Sequence, residues 1–239
     1  MATDELLKDD AINSTAPRLK RSKTSARWHR ILGAEVGFIS RKELKRRMWH
    51  MLPGLLPIIS WIVPHKDPLS PTFKLIAAGV MAGLCFALFR SFHTIVRKGE
   101  RNPTSAVFGY AGAVLATLLL FPAQAELGMT VLVVLAFGDG SATLGGMLFP
   151  GPRLPWNADK TWSGLLCFLF IGAPLASLAY WAEAQPYATF DIAAICGCSA
   201  IVTAAIAESI KSQINDNIRV GVVAAAAVAV THGLVVGFA

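Results

Sequence analysis

The residue that most invites a chemical reading is Asp139. It stands inside a long apolar run, between two glycines, in Gly138-Asp139-Gly140-Ser141-Ala142-Thr143-Leu144-Gly145-Gly146. A carboxylate at membrane depth is costly and marks a functional site by default; the competing role is a single polar residue hydrogen-bonded between helices. Glycines on both sides would let backbone N–H groups approach a phosphate closely. Neither the GxGxxG fingerprint nor the GxxxxGK[ST] loop occurs in the chain.

Three further groups could share that chemistry. The connection Phe149 to Lys160, FPGPRLPWNADK, holds Asn157, Asp159 and Lys160 and leads into Thr161. Lys160 could meet phosphates as a point charge, or pair with Asp159 in an ordinary solvated loop. Farther on come Glu208, Lys211, Asp216, Asn217 and Arg219. Acids beside basic residues suit Mg²⁺ bridging phosphate oxygens, held by a few carboxylates and its own waters. Asp216 or Asn217 could equally cap the last helix. Arg90, His93 and Arg97 recur at three and four, so they share one helix face. That face could hold a lipid phosphate or a nucleotide, or its cations could simply snorkel.

The elements that must position these residues follow from composition. Of 239 residues, 54% are hydrophobic and 15% charged, and the mean hydropathy is +0.52. Soluble chains carry about 25% charged residues, so a wholly soluble domain is excluded. Seven apolar stretches occur, at roughly 49–63, 72–96, 104–121, 125–148, 161–182, 188–208 and 218–238. A membrane span needs about 20 residues, which predicts an all-α integral membrane protein of about seven transmembrane helices. The first stretch carries Pro53 and Pro57, so it is either kinked or begins in the basic segment before it. The fourth, with its glycine run, predicts a broken helix, tolerated only where it is buried in protein or lines a wet cavity. The four cysteines all fall in apolar stretches and read as reduced packing residues.

Charge sets the orientation. Residues 1–47 hold 12 of the 22 Lys and Arg, and the dense part, Arg18 to Arg47, suits anionic headgroups at a membrane surface rather than nucleic acid. Residues 1–27 read as a disordered polar tail, and 28–48 as a basic interfacial helix. No targeting signal is legible in the first 30 residues. Lys and Arg favour cytoplasmic loops, which places the N-terminus in the cytoplasm and, after seven spans, the C-terminus outside. Arg46, Arg47, His50, Arg90, Arg97, Asp139, Lys160, Glu208, Asp216 and Asn217 then all fall at the cytoplasmic ends. Asp139, Glu208 and Asp216 played no part in choosing that orientation.

In order, the chain shows Arg46-Arg47-Met48-Trp49-His50, Gly138-Asp139-Gly140-Ser141-Ala142, Leu154-Pro155-Trp156-Asn157 with Lys160-Thr161-Trp162-Ser163-Gly164, and Glu208 with Asp216-Asn217. Over about residues 41–239 this resembles the CTP-dependent polyprenol kinase family, which includes dolichol kinase, phytol kinase and the yeast-type diacylglycerol kinase. The middle pair of motifs looks most like phytol kinase. Thr143 departs from the pattern, standing where an acid often follows the alanine, and so does Leu165, in the place of a small hydroxyl residue.

Composition predicts a disordered basic cytoplasmic tail over 1–40, and the resemblance implies a polytopic membrane lipid-kinase domain over 41–239. It implies transfer of the γ-phosphate of CTP, or another nucleoside triphosphate, to the hydroxyl of phytol, a dolichol or polyprenol, or diacylglycerol at the cytoplasmic face. Catalysis would fall to Asp139 and Lys160, and nucleotide binding to Gly138, Gly140, Ala142, Gly146, Asn157, Lys160, Thr161 and Gly164. Arg46, Arg47, His50, Arg90 and Arg97 would meet phosphate or headgroup. Mg²⁺ would be held by Asp139, Glu208, Asp216 and Asn217, with Asp139 acting as base or metal ligand and with Glu208 and Asp216 completing the metal or orienting Lys160. Two rival readings are a CTP:phosphatidate cytidylyltransferase and a small transporter or flippase, the latter using a broken fourth helix to bind a coupling ion. The membrane could be bacterial inner membrane, endoplasmic reticulum or plastid.

Overall fold

The computed structural model describes residues 39–62, 70–90 and 103–237. The tail expected over 1–40 lies outside the described residues up to 38, as do Lys66, His93 and Arg97, and the side chains of Cys85 and Arg90 with them. Helix α1 (Arg41–Met51) opens at Ser40, whose hydroxyl accepts a hydrogen bond from the Glu43 backbone N–H at 3.2 Å, a serine N-cap followed three residues on by a glutamate. Pro53 cannot continue the α-helical hydrogen-bond ladder. The chain tightens there into a 3-10 turn, Leu52–Leu55, and resumes as helix α2 (Leu56–Ile62). The first apolar stretch is therefore kinked, and its helix also begins in the basic segment.

Next come α3 (Pro71–Arg90), α4 (Pro103–Leu120), α5 (Ala125–Leu148), a hairpin of β1 (Arg153–Leu154) and β2 (Asn157–Thr161), then α6 (Trp162–Glu183), α7 (Phe190–Ser209) and α8 (Asp216–Val235). Among the described residues, α5 to α8 are long and apolar enough to cross a membrane, and α4 holds a shorter apolar helix, Val107–Leu120. The fold is that of a multi-pass helical membrane protein. Among the described residues, the one departure from an all-α reading is the antiparallel hairpin, which pairs Arg153 with Thr161 and Leu154 with Asn157.

Helix α5 sits at the centre, packed against α4, α6, α7 and α8. Leu127, Val131, Val134, Leu135 and Ala136 on it are wholly buried. A helix apolar on all sides belongs in the middle of a bundle. Small residues let its neighbours approach closely, as they do in membranes. At Gly197 of α7 a Cβ would come within 2.6 Å of the Ser177 backbone nitrogen of α6. Short connections make α4 to α8 antiparallel neighbours. One end of the bundle therefore gathers the starts of α4, α6 and α8 with the ends of α5 and α7.

Helix α5 corrects one expectation. It is continuous from Ala125 to Leu148 and is not broken at the glycine run; it passes instead through a π-helical turn at Val134–Asp139. Such turns insert one extra residue and recur at functional sites. At the opposite end of the bundle, several buried polar groups pair across helices. Ser60 donates to Glu183 Oε1 at 2.6 Å, and Tyr180 Oη lies 2.6 Å from His232 Nδ1.

Candidate functional site

The π turn delivers Asp139 to the face of α5 that meets α1. Its carboxylate Oδ2 lies 3.2 Å from His50 Nε2 and 3.9 Å from Arg47 Nη1. His50 Nε2 also donates to the Leu135 carbonyl at 2.9 Å. Two acceptors at one nitrogen fix the hydrogen there. His50, expected to meet a phosphate or headgroup, is thus the partner of Asp139. On α1, Arg46 and Arg47 are also held by Glu43, at 2.8 and 3.3 Å.

The hairpin supplies the opposite wall. Asn157 is buried at its base, where its amide donates to the Ser209 carbonyl at 3.0 Å and its Oδ1 accepts from the Asp159 N–H at 3.1 Å. Trp156 donates to the Ser209 hydroxyl at 3.1 Å. These bonds clamp the hairpin to the end of α7 and aim Lys160 inward. Thr161 then caps α6 by accepting from Gly164 N at 3.1 Å.

Lys160 Nζ bridges Glu208 and Asp216, touching the first closely and the second at 3.2 Å. Burial alone would lower its pKa, but Glu208 and Asp216 beside it, and Asp139 beyond, outweigh that and raise it from the ordinary lysine value. Asp216 is steadied from behind by Arg219 Nη2 at 2.7 Å. The last helix is capped by Asn215, which accepts from Asn217 N at 3.0 Å, rather than by Asp216 or Asn217.

These groups line one cavity of about 540 Å³, within the usual range for ligand sites. Arg46, Arg47, His50, Asp139, Ala142, Gly146, Lys160, Thr161, Gly164, Glu208, Asp216 and Asn217 all face it. Gly138, Gly140 and Asn157 do not. A Cβ on Gly138 would strike the Phe168 ring at 2.8 Å, and one on Gly140 the Met51 side chain at 2.6 Å, so these glycines admit neighbouring side chains. Gly164 does the same for backbone, since its Cβ would lie 2.8 Å from the Ala142 carbonyl oxygen. Arg153, which no motif singles out, also lines the cavity from β1.

Among the described residues no three His, Cys, Asp or Glu side chains gather as metal ligands. Asp139 faces Arg47 and His50, whereas Glu208 and Asp216 close on Lys160. The donor set expected for Mg²⁺, Asp139, Glu208, Asp216 and Asn217, is therefore not collected into one shell. Each of the three carboxylates is engaged by a basic side chain.

Fold and cavity together define a class: a multi-pass helical membrane protein with a polar chamber, lined by basic and acidic side chains, at one end of its bundle. The curated proteins that this chain resembles are phytol kinases. It is 23% identical over 198 residues to phytol kinase 1, chloroplastic, of Arabidopsis thaliana, covering 76% of this chain and 64% of that protein. It is 27% identical over 150 residues to the probable phytol kinase 1, chloroplastic, of Oryza sativa subsp. japonica, covering 57% and 46%. With the probable phytol kinase 1 of Glycine max it shares 24% over 200 residues, covering 76% and 65%. The chain thus spans between about half and two thirds of the length of these relatives. No protein-family model and no solved structure matches it.

Proposed function

We propose that the protein is a lipid-alcohol kinase that transfers the γ-phosphate of CTP to an isoprenoid alcohol of the phytol type. The carrying observation is the placement of the buried carboxylate of Asp139 in a cavity that Arg46, Arg47, Arg153 and Lys160 line together with Glu208 and Asp216. A triphosphate needs such cations, and phosphoryl transfer asks mainly for positioning and charge neutralisation. The names of the relatives support the choice of alcohol, and the word chloroplastic in them supports a plastid membrane.

In this reading the triphosphate lies against Lys160 and the arginines. Asp139, oriented by His50, accepts the hydrogen bond of the alcohol. The alcohol oxygen attacks the γ-phosphorus, the bond from that phosphorus to the bridging oxygen breaks, and the nucleoside diphosphate leaves. The hydroxyl proton passes to Asp139. Mg²⁺ enters only as the counter-ion of the triphosphate, that is, as part of the substrate.

The isoprenoid tail stays in the hydrocarbon, because removing it is costly, and the nucleotide arrives from the cytoplasm. Seven spans, with the N-terminus in the cytoplasm and the C-terminus outside, accompany this reading. A reporter fused after residue 239 that is active only on the cytoplasmic side would overturn that topology.

The test of the activity uses membranes containing the protein, Mg²⁺, phytol, a polyprenol and diacylglycerol, with CTP labelled at the α or the γ phosphate. Label from γ in phytyl phosphate is the expected result. Label from α in the lipid would instead mean cytidylyl transfer, and no lipid label from CTP, UTP or ATP would sink the kinase reading.

A further inference from the structure

The phenol of Tyr110 on α4 is a buried polar group with no partner. The residue is 7% exposed, and its hydroxyl oxygen has no hydrogen-bond partner among the described residues. Leaving a hydroxyl unsatisfied in an apolar bundle is expensive, and each native instance calls for a cause. Its surroundings supply one. The Tyr110 ring meets the His50 ring edge-on, with centroids 5.1 Å apart and planes at 82°. His50 is in turn the neighbour of Asp139 at 3.2 Å.

Depth agrees with that contact. Tyr110 lies seven residues below the start of α4, about 10 Å along the helix, and Asp139 nine residues before the end of α5, about 14 Å. Those two helix ends face the same side. Lys160 and Thr161 sit above, at the start of α6. Tyr110 therefore backs His50 and Asp139 at the inner level of the site, below Lys160, on the side from which a hydroxyl anchored in the bilayer arrives.

We propose that Tyr110 is the second anchor of the lipid acceptor, its hydroxyl hydrogen-bonding to the alcohol oxygen that Asp139 also addresses. This rests on the kinase reading for the identity of the lipid, but it makes a separate claim about binding. The site recognises an alkyl alcohol by its hydroxyl, and a hydrocarbon of the same shape leaves both Tyr110 and Asp139 without that partner.

The test is Tyr110→Phe in the full chain, purified in detergent, with phytol and phytane as probes. Without lipid the variant melts at or above the wild-type temperature, since only an unpartnered oxygen is removed; a melt well below wild type would show that the hydroxyl serves the fold and overturn the proposal. With lipid, phytol raises the wild-type melting temperature more than phytane does, and the variant loses that preference. In turnover, KM for phytol rises about 3- to 10-fold, the effect of one lost hydrogen bond, while KM for CTP is unchanged. A variant that keeps both the preference for phytol and the wild-type KM overturns the proposal, as does a wild type that treats the two lipids alike. If no γ-label reaches any lipid but the preference for phytol depends on Tyr110, the anchor stands and the kinase reading falls.

Discussion

His50 Nε2 lies 3.2 Å from Asp139 Oδ2 and 2.9 Å from the carbonyl of Leu135, so one imidazole ties α1 to both ends of the π turn. This couples the amphipathic segment before the first kink to the buried carboxylate. Asp139→Asn keeps the size of the side chain and a hydrogen bond to His50 but loses the charge and the proton acceptor. Phosphoryl transfer to phytol should fall about 10²- to 10³-fold, as when a preorganised polar group is removed from an active site, with an unchanged elution profile in detergent. Full activity in membranes carrying the Asp139→Asn variant would remove Asp139 from the mechanism.

Replacing His50 should act through that carboxylate. His50→Ala is expected to lower kcat strongly with little change in KM for CTP. His50→Gln, whose amide can still donate toward Leu135, should recover part of the loss. Equal defects in both variants would mean that the ring itself, through its contact with Tyr110, is what matters.

The triad around Lys160 makes a stability prediction. Lys160→Met leaves the buried Glu208 facing an apolar side chain, and breaking a buried pair from one side costs about 3–5 kcal/mol. The double variant Lys160→Met with Glu208→Gln removes the stranded charge and should melt above the single variant. A strictly additive pair of losses would argue that the two side chains are not coupled.

The same lysine gives a pH dependence with a definite sign. Its folded pKa is raised above the ordinary 10.5, because the carboxylates outweigh burial. A raised pKa contributes stability that is fully present below 10.5 and is lost as pH rises through the higher folded value. The melting temperature of wild type minus that of Lys160→Met should therefore hold steady from pH 7 to about pH 10 and shrink above it. A gap already closing at pH 8 would contradict the assignment.

Chelation separates a substrate counter-ion from a structural ion. EDTA should abolish transfer, and the melting temperature of the nucleotide-free protein should not move. A large downward shift on chelation would reveal a resident ion.

Some of this was legible from residues alone. Asp139 stood out because charge is rare in apolar runs, and Lys160 because a proline-rich loop brought it to the start of a span. Other features needed the packed helices. Nothing local says that Glu208 and Asp216, at the ends of different helices, would close on Lys160 rather than join Asp139. Gly138 and Gly140 look like a phosphate cradle in one dimension, and only in three is it visible that a side chain on them would strike Phe168 and Met51. Tyr110 carried no signal, since one aromatic in an apolar helix is ordinary until its hydroxyl is seen to be unsatisfied.

The π turn in α5 has a consequence for how this helix can vary. One added residue rotates everything beyond it by about 100° relative to an uninterrupted α-helix. The segment before Val134 packs against α4, α6 and α8, and the segment after Asp139 packs against α6 and α1. Deleting a single residue between them would restore ideal helical geometry while turning the later face away from its partners. The irregularity works as a frameshift in space, and a more regular helix here would be a less functional one.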